Sequence, residues 1–452
     1  MMAATSSPLP RSRLARLGDG MARHAGAIQV MQWGMVVVYL ALVSIPAFLP
    51  VPDDSRHIWD DLVLFAQFAF WGVWWPFVMV SMLVMGRAWC GVFCPEGTMT
   101  EWASRHGLGR AIPAWLRWRG WPFVAFVCTT VYGQMITVYE YPKAALLILG
   151  ASTVMALAVG WIYGRGHRVW CRYLCPASGV FSLLSRLAPL HFQVDAQAWR
   201  AAPRQHAVQC APLVDVRSQT GGGGCQMCGR CSGHRDAVTL APRLPGIEVT
   251  HLPQREVSPW DIVLLLFGMM GVATGAFQWS GSPLFVALKQ GVATVLIEHG
   301  IIAPMTTSLP WWILTNSDET GEVFSLLDGA CLLAYMGGSA LAFGLVGLGG
   351  LALAARLGGD VKALWRLGYG LIPQAAVGLV VGLSSMTLTQ LGTEGIIFAW
   401  VPEARAALLA LGMVWSGVLL WSLLPPRRRP LAWLAAMAGV LFHATAWALF
   451  FF

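Results

Sequence analysis

A nine-residue motif occurs twice in the chain, each time just after a long apolar run. Both copies, residues 87–95 and 168–176, have the form R-x-W-C-x-x-[FL]-C-P, and their cysteines are Cys90, Cys94, Cys171 and Cys175. Cysteines four positions apart lie on one face of a helix, one turn from each other. Two copies that meet bring together four thiolates, the usual ligands of one iron–sulfur cubane or one structural zinc ion. The repeat therefore predicts a fold that places two distant segments side by side.

The apolar runs that precede the motifs belong to a series that extends along the chain. The 452 residues are 56% hydrophobic and 12% charged, and a soluble domain of this size carries about twice that charged fraction. Each run is close to the ~20 residues that a membrane-spanning helix needs. We therefore predict an all-α polytopic membrane protein with about nine transmembrane helices, near residues 28–51, 62–86, 121–139, 144–163, 258–279, 327–355, 367–391, 406–424 and 431–451.

The distribution of basic residues predicts the orientation of these helices. With the N-terminus on the cytoplasmic side, 26 of the 30 lysines and arginines lie in predicted cytoplasmic segments, whereas the outer loops are acidic. This asymmetry follows the positive-inside rule. Topology thus explains the net charge of +8, and no nucleic-acid partner is expected. Both copies of the cysteine motif are predicted on the cytoplasmic side, where disulfides are disfavoured.

Four regions follow from these patterns. Residues 1–26 are predicted to be a flexible basic cytoplasmic tail, and residues 27–186 a transmembrane module that contains the duplicated motif. Residues 187–256 are the only sizeable soluble insert, and residues 257–452 are predicted to be a Gly- and Ala-rich bundle. Six glycines of this bundle are expected to mediate close helix packing, namely Gly337, Gly338, Gly344, Gly347, Gly349 and Gly350.

One segment of the bundle does not fit the series of spans. Residues 284–305 are apolar, but Lys289 and the pair Glu298-His299 interrupt them. A tenth crossing there would invert the charge pattern of every later loop. An interfacial or re-entrant helix on the outer side is therefore predicted.

The soluble insert carries a further cysteine motif, Cys225-Gln-Met-Cys228-Gly-Arg-Cys231. A C-x-x-C-x-x-C loop wraps three thiolates around one cubane, and this spacing favours an iron–sulfur cluster over zinc. The fourth Cys of a complete ferredoxin motif is absent, because position 235 is Arg. In two-cluster ferredoxins that cysteine serves the other cluster, so its absence implies one cluster here.

The fourth ligand of the insert cluster must come from elsewhere in the chain. Cys128 and Cys331 lie inside predicted spans, which leaves Cys210 as the candidate, with His206 and His234 as alternatives. The four glycines just before the motif, residues 221–224, lack a following Lys-Ser/Thr pair. They are therefore predicted to be a flexible connection rather than a phosphate-binding loop.

These motifs together resemble the membrane polyferredoxins, which include NapH, NosR and CcoG and combine paired C-x-x-x-C-P motifs with a cytoplasmic ferredoxin motif. The resemblance covers about residues 60–245. In the phrase CGRCSGHRDAVTLAPR and the lone cysteine upstream, the chain is most similar to the FtrD-type polyferredoxin of bacterial ferrous-iron uptake systems. The single incomplete ferredoxin motif differs from the two complete motifs of NapH-like proteins. The resemblance implies a bacterial inner-membrane location, [4Fe–4S] cofactors and a role in iron uptake.

Ionisable residues outside the cysteine motifs suggest further sites. His443, inside the last predicted span, and His299 could supply the two axial ligands of a haem, although hydrogen-bonded packing histidines are the favoured interpretation. An outer metal-ion site of carboxylates and one imidazole is an alternative to an ordinary solvated acidic loop. Its candidate ligands are His57, Asp53, Asp54, Asp60 and Asp61.

The predicted function is electron transfer, as a component of a membrane-bound oxidoreductase system with no catalytic residue assigned. One [4Fe–4S] cluster is predicted on Cys90, Cys94, Cys171 and Cys175, and a second on Cys210, Cys225, Cys228 and Cys231. The expected partners are the lipid bilayer, redox proteins or a quinone, and a periplasmic metal-binding protein or permease. The sequence leaves open a ferric or cupric ion reductase, a metalloprotein assembly factor, and a non-redox transporter with structural cysteine sites.

Overall fold

The computed structural model describes residues 12–53, 55–203, 208–219, 221–317, 320–426 and 429–452. The regular structure of these residues is almost entirely helical, with one two-stranded sheet among them. In chain order the main elements are α1 (Arg13–Arg23), α2 (Ala25–Phe48), α3 (Leu62–Met85), α4 (Pro95–Arg105), α5 (Trp121–Met135), α6 (Pro142–Tyr163), α7 (Val169–Tyr173), α8 (Ser178–Leu184), β1 (Leu190–Val194), α9 (Ala196–Ala201), β2 (Val238–Pro242), α10 (Ile247–Thr250), α11 (Pro259–Gly281), α12 (Pro283–Glu298), α13 (Ala303–Thr306), α14 (Leu326–Gly358), α15 (Val361–Thr393), α16 (Val401–Leu423) and α17 (Arg429–Phe451).

Eight helices of the described residues are long and apolar enough to cross a membrane, namely α2, α3, α6, α11, α14, α15, α16 and α17. They confirm the predicted all-α polytopic membrane fold. Their common core includes side chains with no exposed surface, such as Met82 of α3, Leu265 of α11 and Ile372 of α15. The same core extends to Trp89 and Cys90, so the first cysteine motif is continuous with the packing of the bundle.

The ninth predicted span, near residues 121–139, is a shorter helix than expected. α5 has 15 residues and ends at Met135, and the chain then turns at Thr137, whose φ is +47°. Trp118, just before α5, contacts Trp260 at the start of α11, with ring centroids 4.8 Å apart. Gln134, near the end of α5, accepts a 2.7 Å hydrogen bond from Trp279 at the other end of α11. α5 therefore runs along the full depth of a span, although it is not one of the eight.

The soluble insert is closed by an antiparallel hairpin of β1 and β2, paired from Leu190 with Pro242 to Val194 with Val238. α1 packs on this hairpin, because a Cβ at Gly18 would lie 3.0 Å from Cβ of Leu240 and 3.3 Å from the Phe192 ring. The prediction of a flexible tail is therefore wrong for residues 13–23. The small side chains of α1 bring the helix against the insert, and its arginines face away from this contact.

Residues 284–305 form α12, with 16 residues, and the short helix α13. Neither is among the eight candidate spans. α12 begins where α11 ends, and Lys289 forms an ion pair with Asp328 in the first turn of α14. α12 thus packs where one candidate span finishes and the next begins, and its interfacial position stays a prediction.

Close helix packing involves three of the six glycines predicted for it. Gly344 and Gly347 pack on Phe267 and Leu266 of α11, and a Cβ at Gly350 would lie 2.6 Å from the carbonyl oxygen of Ala435 in α17. The other three, Gly337, Gly338 and Gly349, have no described atom of another element within 4 Å of such a Cβ, so the prediction is wrong for them.

Candidate metal centres

The two C-x-x-x-C-P segments form the same backbone turn. The amide of Cys94 donates to the carbonyl oxygen of Trp89 at 2.9 Å, and the amide of Cys175 donates to that of Trp170 at 3.0 Å. Each bond spans five residues and closes a turn wider than that of an α-helix, a feature that often marks functional sites. The proline after each second cysteine cannot donate a hydrogen bond, and Pro95 begins α4. The sequence repeat is therefore also a structural repeat.

The arginine of each copy binds the other copy. Arg87 donates to Oγ of Ser178, 3.1 Å away and just after the second motif. Arg168 donates to the carbonyl oxygen of Cys90 at 2.5 Å and to Glu101 of α4 at 2.8 Å. Both side chains are buried, with 4% and 1% of their surface exposed. This reciprocal exchange holds the two motifs face to face.

The four thiols of the duplicated motif lie close enough to affect one another's ionisation. Burial raises the pKa of Cys171 to about 12, and the neighbouring charge of Cys90 adds to this, against the opposing charge of Arg168. Burial also raises the pKa of Cys94 and Cys175 well above the ordinary value, and each is further raised by Cys171 and Cys90. Four such thiolates require a multiply charged cation to neutralise them, which is the chemistry of a metal cluster site.

The insert motif and Cys210 form a second group of this kind. Burial raises the pKa of Cys225 to about 12 and that of Cys210 to about 11, and the neighbouring thiol of Cys228 adds to both shifts. The pKa of Cys231 is also raised by burial, and then by the other three thiols. The structure therefore places Cys210 near the three cysteines of the motif, and its role as the fourth ligand stays a prediction.

The backbone between these cysteines explains how the loop curls around one centre. Met227 and Gly229 both have left-handed conformations, with φ of +52° and +75°. The amide of Met227 points at Cys225, 3.4 Å from its Sγ. Of the alternative ligands, His234 contacts Trp199 with ring centroids 5.3 Å apart and the rings tilted by 60°, and His206 lies outside the described residues. His234 is not among the groups that shift the pKa of Cys210, Cys225 or Cys231.

The two cysteine quartets touch each other through Gly91. A Cβ at this position would overlap the carbonyl oxygen of Gln226 and lie 2.8 Å from the amide nitrogen of Cys228. Arg168 joins the same contact with a 3.2 Å hydrogen bond to the Gln226 side chain. Gly91 was not identified from the sequence as a contact residue, although it is the one glycine between Cys90 and Cys94. Its absence of a side chain lets the insert loop lie directly on the first motif.

Glu101 is a second residue that sequence reasoning missed. Its carboxylate, on a residue only 4% exposed, accepts hydrogen bonds from Arg168, from Arg230 at 2.8 and 3.0 Å, and from Arg105. Burial alone would raise its pKa, but the charges of Arg168 and Arg230 outweigh burial and lower the pKa to about 2. Because Arg230 lies between Cys228 and Cys231, this carboxylate ties α4 to the insert loop. No spacing in the sequence marks Glu101 for this role.

The four glycines before the insert motif are packed, and the prediction of a flexible connection is wrong. The amide of Gly222 donates to Glu248 at 2.7 Å, and a Cβ at Gly223 would lie 3.0 Å from the guanidinium of Arg186. Arg186 and Glu248 form a buried ion pair at 2.8 Å. The absence of side chains allows this ion pair to approach the loop backbone.

The outer acidic residues do not assemble into a metal site in the described part of the chain. Asp61 caps α3 by accepting from the amides of Val63 and Leu64, and Asp60 accepts from the amide of His57. The ring of His57 instead pairs with Glu394, 3.0 Å away. Asp54 lies outside the described residues. Among the residues that are described, no three His, Cys, Asp or Glu groups have the geometry of a site for a single metal ion.

The two haem candidates are not brought together. His443 has no exposed surface, and its ring nitrogens lie 3.2 Å from the Gln374 side chain and 3.2 Å from Trp447 Nε1. A Cβ at Gly378 would lie only 2.5 Å from the same ring, which leaves no room for a macrocycle. His299 is exposed after the end of α12 and contacts the carbonyl oxygen of Val295. His443 is thus a hydrogen-bonded packing residue, and the haem hypothesis is not supported.

Comparisons with known proteins agree with the cysteine chemistry. Residues 67–119 and 146–194 match the 4Fe-4S binding domain family, and the two matches each contain one copy of the duplicated motif. The chain is also 23% identical over 235 residues to YccM of Escherichia coli (strain K12), a protein provisionally named for electron transport. That match covers 45% of this chain and 64% of YccM, which is less than two thirds of its length. No solved structure is significantly similar to the chain.

The residues of the duplicated motif fit the cofactor that this family match implies. Four thiols, two on buried and two on half-buried residues, are held by reciprocal arginines and supply a complete thiolate set for one [4Fe–4S] cluster. The insert motif lies outside both matched segments, but its four thiols form the same kind of donor set. The family match therefore supports [4Fe–4S] binding by this membrane protein.

Proposed function

We propose that this protein transfers electrons at the cytoplasmic face of a bacterial inner membrane through two [4Fe–4S] clusters. Cys90, Cys94, Cys171 and Cys175 hold the first cluster, and Cys210, Cys225, Cys228 and Cys231 hold the second. A cluster held by thiolates cycles between redox states without binding a substrate. The protein then needs no catalytic residue of its own.

The contact between the two quartets is the observation that carries this proposal. Gly91 lies between two ligands of the first cluster and packs on the backbone of Gln226 and Cys228 in the loop of the second. Structural metal sites have no reason to be adjacent, whereas an electron must pass between neighbouring centres. Arg168 lies between the two sets of thiols. Burial alone would lower its pKa, but the neighbouring charges of Glu101, Cys171 and Cys228 outweigh burial and raise it.

Two further observations support this function. YccM, to which the chain is distantly similar, is provisionally named for electron transport. The excess of arginine in the loops that carry the motifs favours a cytoplasmic location for both clusters. Electrons then pass to a membrane or periplasmic partner. A role in iron uptake rests only on the resemblance to FtrD-type polyferredoxins.

Anaerobic purification with metal analysis tests the proposal. Two clusters predict about eight iron and eight acid-labile sulfide ions per chain, and absorbance that bleaches with dithionite. Stoichiometric zinc with no sulfide would instead show that the cysteine sites are structural. Cys128→Ala is a matched control, because this cysteine is exposed on α5 away from both quartets; its iron content should equal that of the unmodified protein.

The link to iron uptake needs a separate cellular test. A strain that lacks the protein should grow poorly when ferrous iron is the limiting iron source, and it should recover with the unmodified gene but not with Cys171→Ala. Equal growth of all three strains would remove iron uptake from the proposal and leave electron transfer untouched.

A further inference from the structure

A cavity of ≈ 570 Å³ lies between the ends of the spans and the soluble insert. One part of its wall comes from the second copy of the motif, with Arg172 and Ser178, and another from the loop just before Cys225, with Gly223 and Gly224. Its volume is in the range of small-molecule sites. The cavity is thus lined by residues next to a cysteine of each quartet, namely Arg172 after Cys171 and Gly224 before Cys225.

The cavity has an excess of positive charge. Six arginines line it, and the side chains of three, Arg117, Arg119 and Arg172, donate no hydrogen bond within the described part of the chain. All three lining carboxylates are already engaged, because Glu256 accepts from Arg186, Asp261 from a tyrosine hydroxyl and Asp215 from the amide of Arg217. These three guanidinium groups are exposed and free to donate hydrogen bonds into the cavity, so they suit an anionic ligand.

Buried polar atoms in the wall also lack partners. Oγ of Ser258 and Nε of Arg87 and Arg186 have no hydrogen-bond partner among the described residues. These three residues are 4%, 4% and 5% exposed, and all of them line the cavity. These atoms have almost no accessible surface, so they show that the wall behind the cavity is polar but are not themselves contacts for a ligand.

Aromatic side chains complete the lining, namely Trp118, Tyr173 and Trp260. We propose that this cavity binds a phosphate monoester that carries a planar aromatic ring and has the size of a mononucleotide. The arginines bind the phosphate, and the aromatic side chains contact the ring. This site is separate from the cysteine ligands themselves.

The position of the cavity favours a water-soluble ligand over a lipid headgroup, which also carries phosphate. A large part of the wall belongs to the insert, including Val214, Asp215 and Ser218. These residues lie outside all eight candidate spans, so the cavity extends away from the bilayer.

A flavin nucleotide is the redox-active member of this ligand class, and its role rests on the proposed function. A fully reduced flavin gives up two electrons and two protons. Each of the two clusters accepts one electron, and the protons pass to solvent. Oxidised flavin then leaves or is reduced again by a soluble donor. The cavity is the site of electron input in this scheme.

Binding is tested first, with a readout that does not depend on iron. The full chain in nanodiscs of zwitterionic lipid is titrated with flavin mononucleotide, whose fluorescence reports binding. Arg119→Gln and Arg172→Gln should each weaken binding by about tenfold, the effect of one charge-assisted hydrogen bond. The control Arg110→Gln changes an exposed arginine of the same loop that does not line the cavity and should have no effect.

Two further arms separate the sources of phosphate. Riboflavin, which has the ring but no phosphate, should bind weakly and equally to all variants. Displacement of flavin mononucleotide by phosphatidylglycerol in the nanodiscs would overturn the soluble-ligand assignment in favour of a lipid headgroup. Absence of binding, or equal loss in Arg110→Gln, would overturn the site itself, whatever the iron content.

Electron input is tested on protein that has been shown to contain iron and sulfide. Reduced flavin mononucleotide should bleach the cluster absorbance faster in the unmodified protein than in Arg172→Gln, by about the same factor as the loss of binding. Normal binding with no bleaching would retain the binding site and reject its role as electron input. If the purified protein contains no iron and sulfide, the proposed function is wrong, but the flavin-binding test remains valid.

Discussion

The two copies of the duplicated motif have the same backbone turn but different surroundings. After the first cysteine, copy one has Gly91, which is buried against Gln226, whereas copy two has Arg172 at the equivalent position, exposed beside the arginine-lined cavity. Both copies contact the insert, since Arg168 also bonds Gln226, but at this position the first copy packs on the insert backbone and the second copy faces a solvent-accessible cavity. A duplicated motif can keep its ligands while one variable position decides what each copy contacts.

The arginines of the two copies differ in the same way. Arg168 forms a buried ion pair with Glu101, 2.8 Å away, whereas Arg87 donates to neutral oxygens of Gly223 and Ser178. Both join the copies, but only one does so with a charge partner. Exchange of the two copies would therefore not be neutral, despite their common motif.

The strongest test of the comparison removes one ligand from each copy. If both copies hold one cluster, Cys90→Ala and Cys171→Ala should each lower the iron and sulfide content by about half, since one cubane of two is lost. The double variant should lose no more than either single variant. Iron and sulfide analysis with electron paramagnetic resonance measures this. A double variant that loses twice as much would show that each copy holds a separate centre.

Substitution of Arg168 and substitution of Arg87 should lower the stability of the protein by different amounts. Arg168→Met removes one partner of a buried ion pair and should destabilise the protein by about 3 kcal/mol, the lower end for such a loss, because Glu101 keeps Arg230 and Arg105. Arg87→Met removes hydrogen bonds to neutral acceptors and should cost about 1.5–3 kcal/mol. The midpoint of thermal unfolding in detergent ranks the two variants, with exposed Arg110→Met as the control that should not change it. A larger effect at Arg87 would contradict the assignment of the charge partner.

Much of this architecture could be predicted from patterns that are local in the sequence. Hydropathy located the spans because each one must satisfy its backbone within ~20 residues of chain. α5 is shorter than the span predicted near residues 121–139 because the helix ends at Met135 and the chain turns at Thr137. The packing of α1 was missed because its contact depends on Ala15 and Gly18, whose small side chains leave no hydropathy signal.

Seven of the eight proposed ligands could also be chosen from spacing and Cys210 by elimination, but the residues that join the two quartets could not. The roles of Gly91 and Glu101 depend on which distant segments meet, and a single sequence does not record those contacts. The glycines at 221–224 show the opposite error. A run of glycine suggests flexibility, yet here the missing side chains admit the ion pair of Arg186 and Glu248.

The variable position after the first cysteine gives a sharper test of the comparison. Gly91→Ala should displace the insert loop, because the new methyl group would overlap the backbone of Gln226, and it should cost about 1–3 kcal/mol. Arg172→Ala, at the equivalent exposed position, should change stability by less than about 0.5 kcal/mol. Thermal unfolding measures both. Spin–spin coupling between the reduced clusters should also change in Gly91→Ala only.

Ser178 gives the smallest expected effect and tests the arginine exchange alone. Its hydroxyl donates to the carbonyl oxygen of Cys171 at 2.7 Å and accepts from Arg87 at 3.1 Å. Ser178→Ala removes both bonds but no ligand, so we expect a loss of about 1 kcal/mol in stability with iron and sulfide content unchanged. The equivalent residue of the first copy is Gly97, and there Arg168 approaches without a hydroxyl, because a Cβ would lie 3.0 Å from its guanidinium. The arginine thus contacts a serine hydroxyl in the second copy and a glycine without a side chain in the first. Loss of iron and sulfide in Ser178→Ala would contradict the prediction, because it would show that this hydroxyl stabilises the turn that carries the cysteines rather than the position of Arg87.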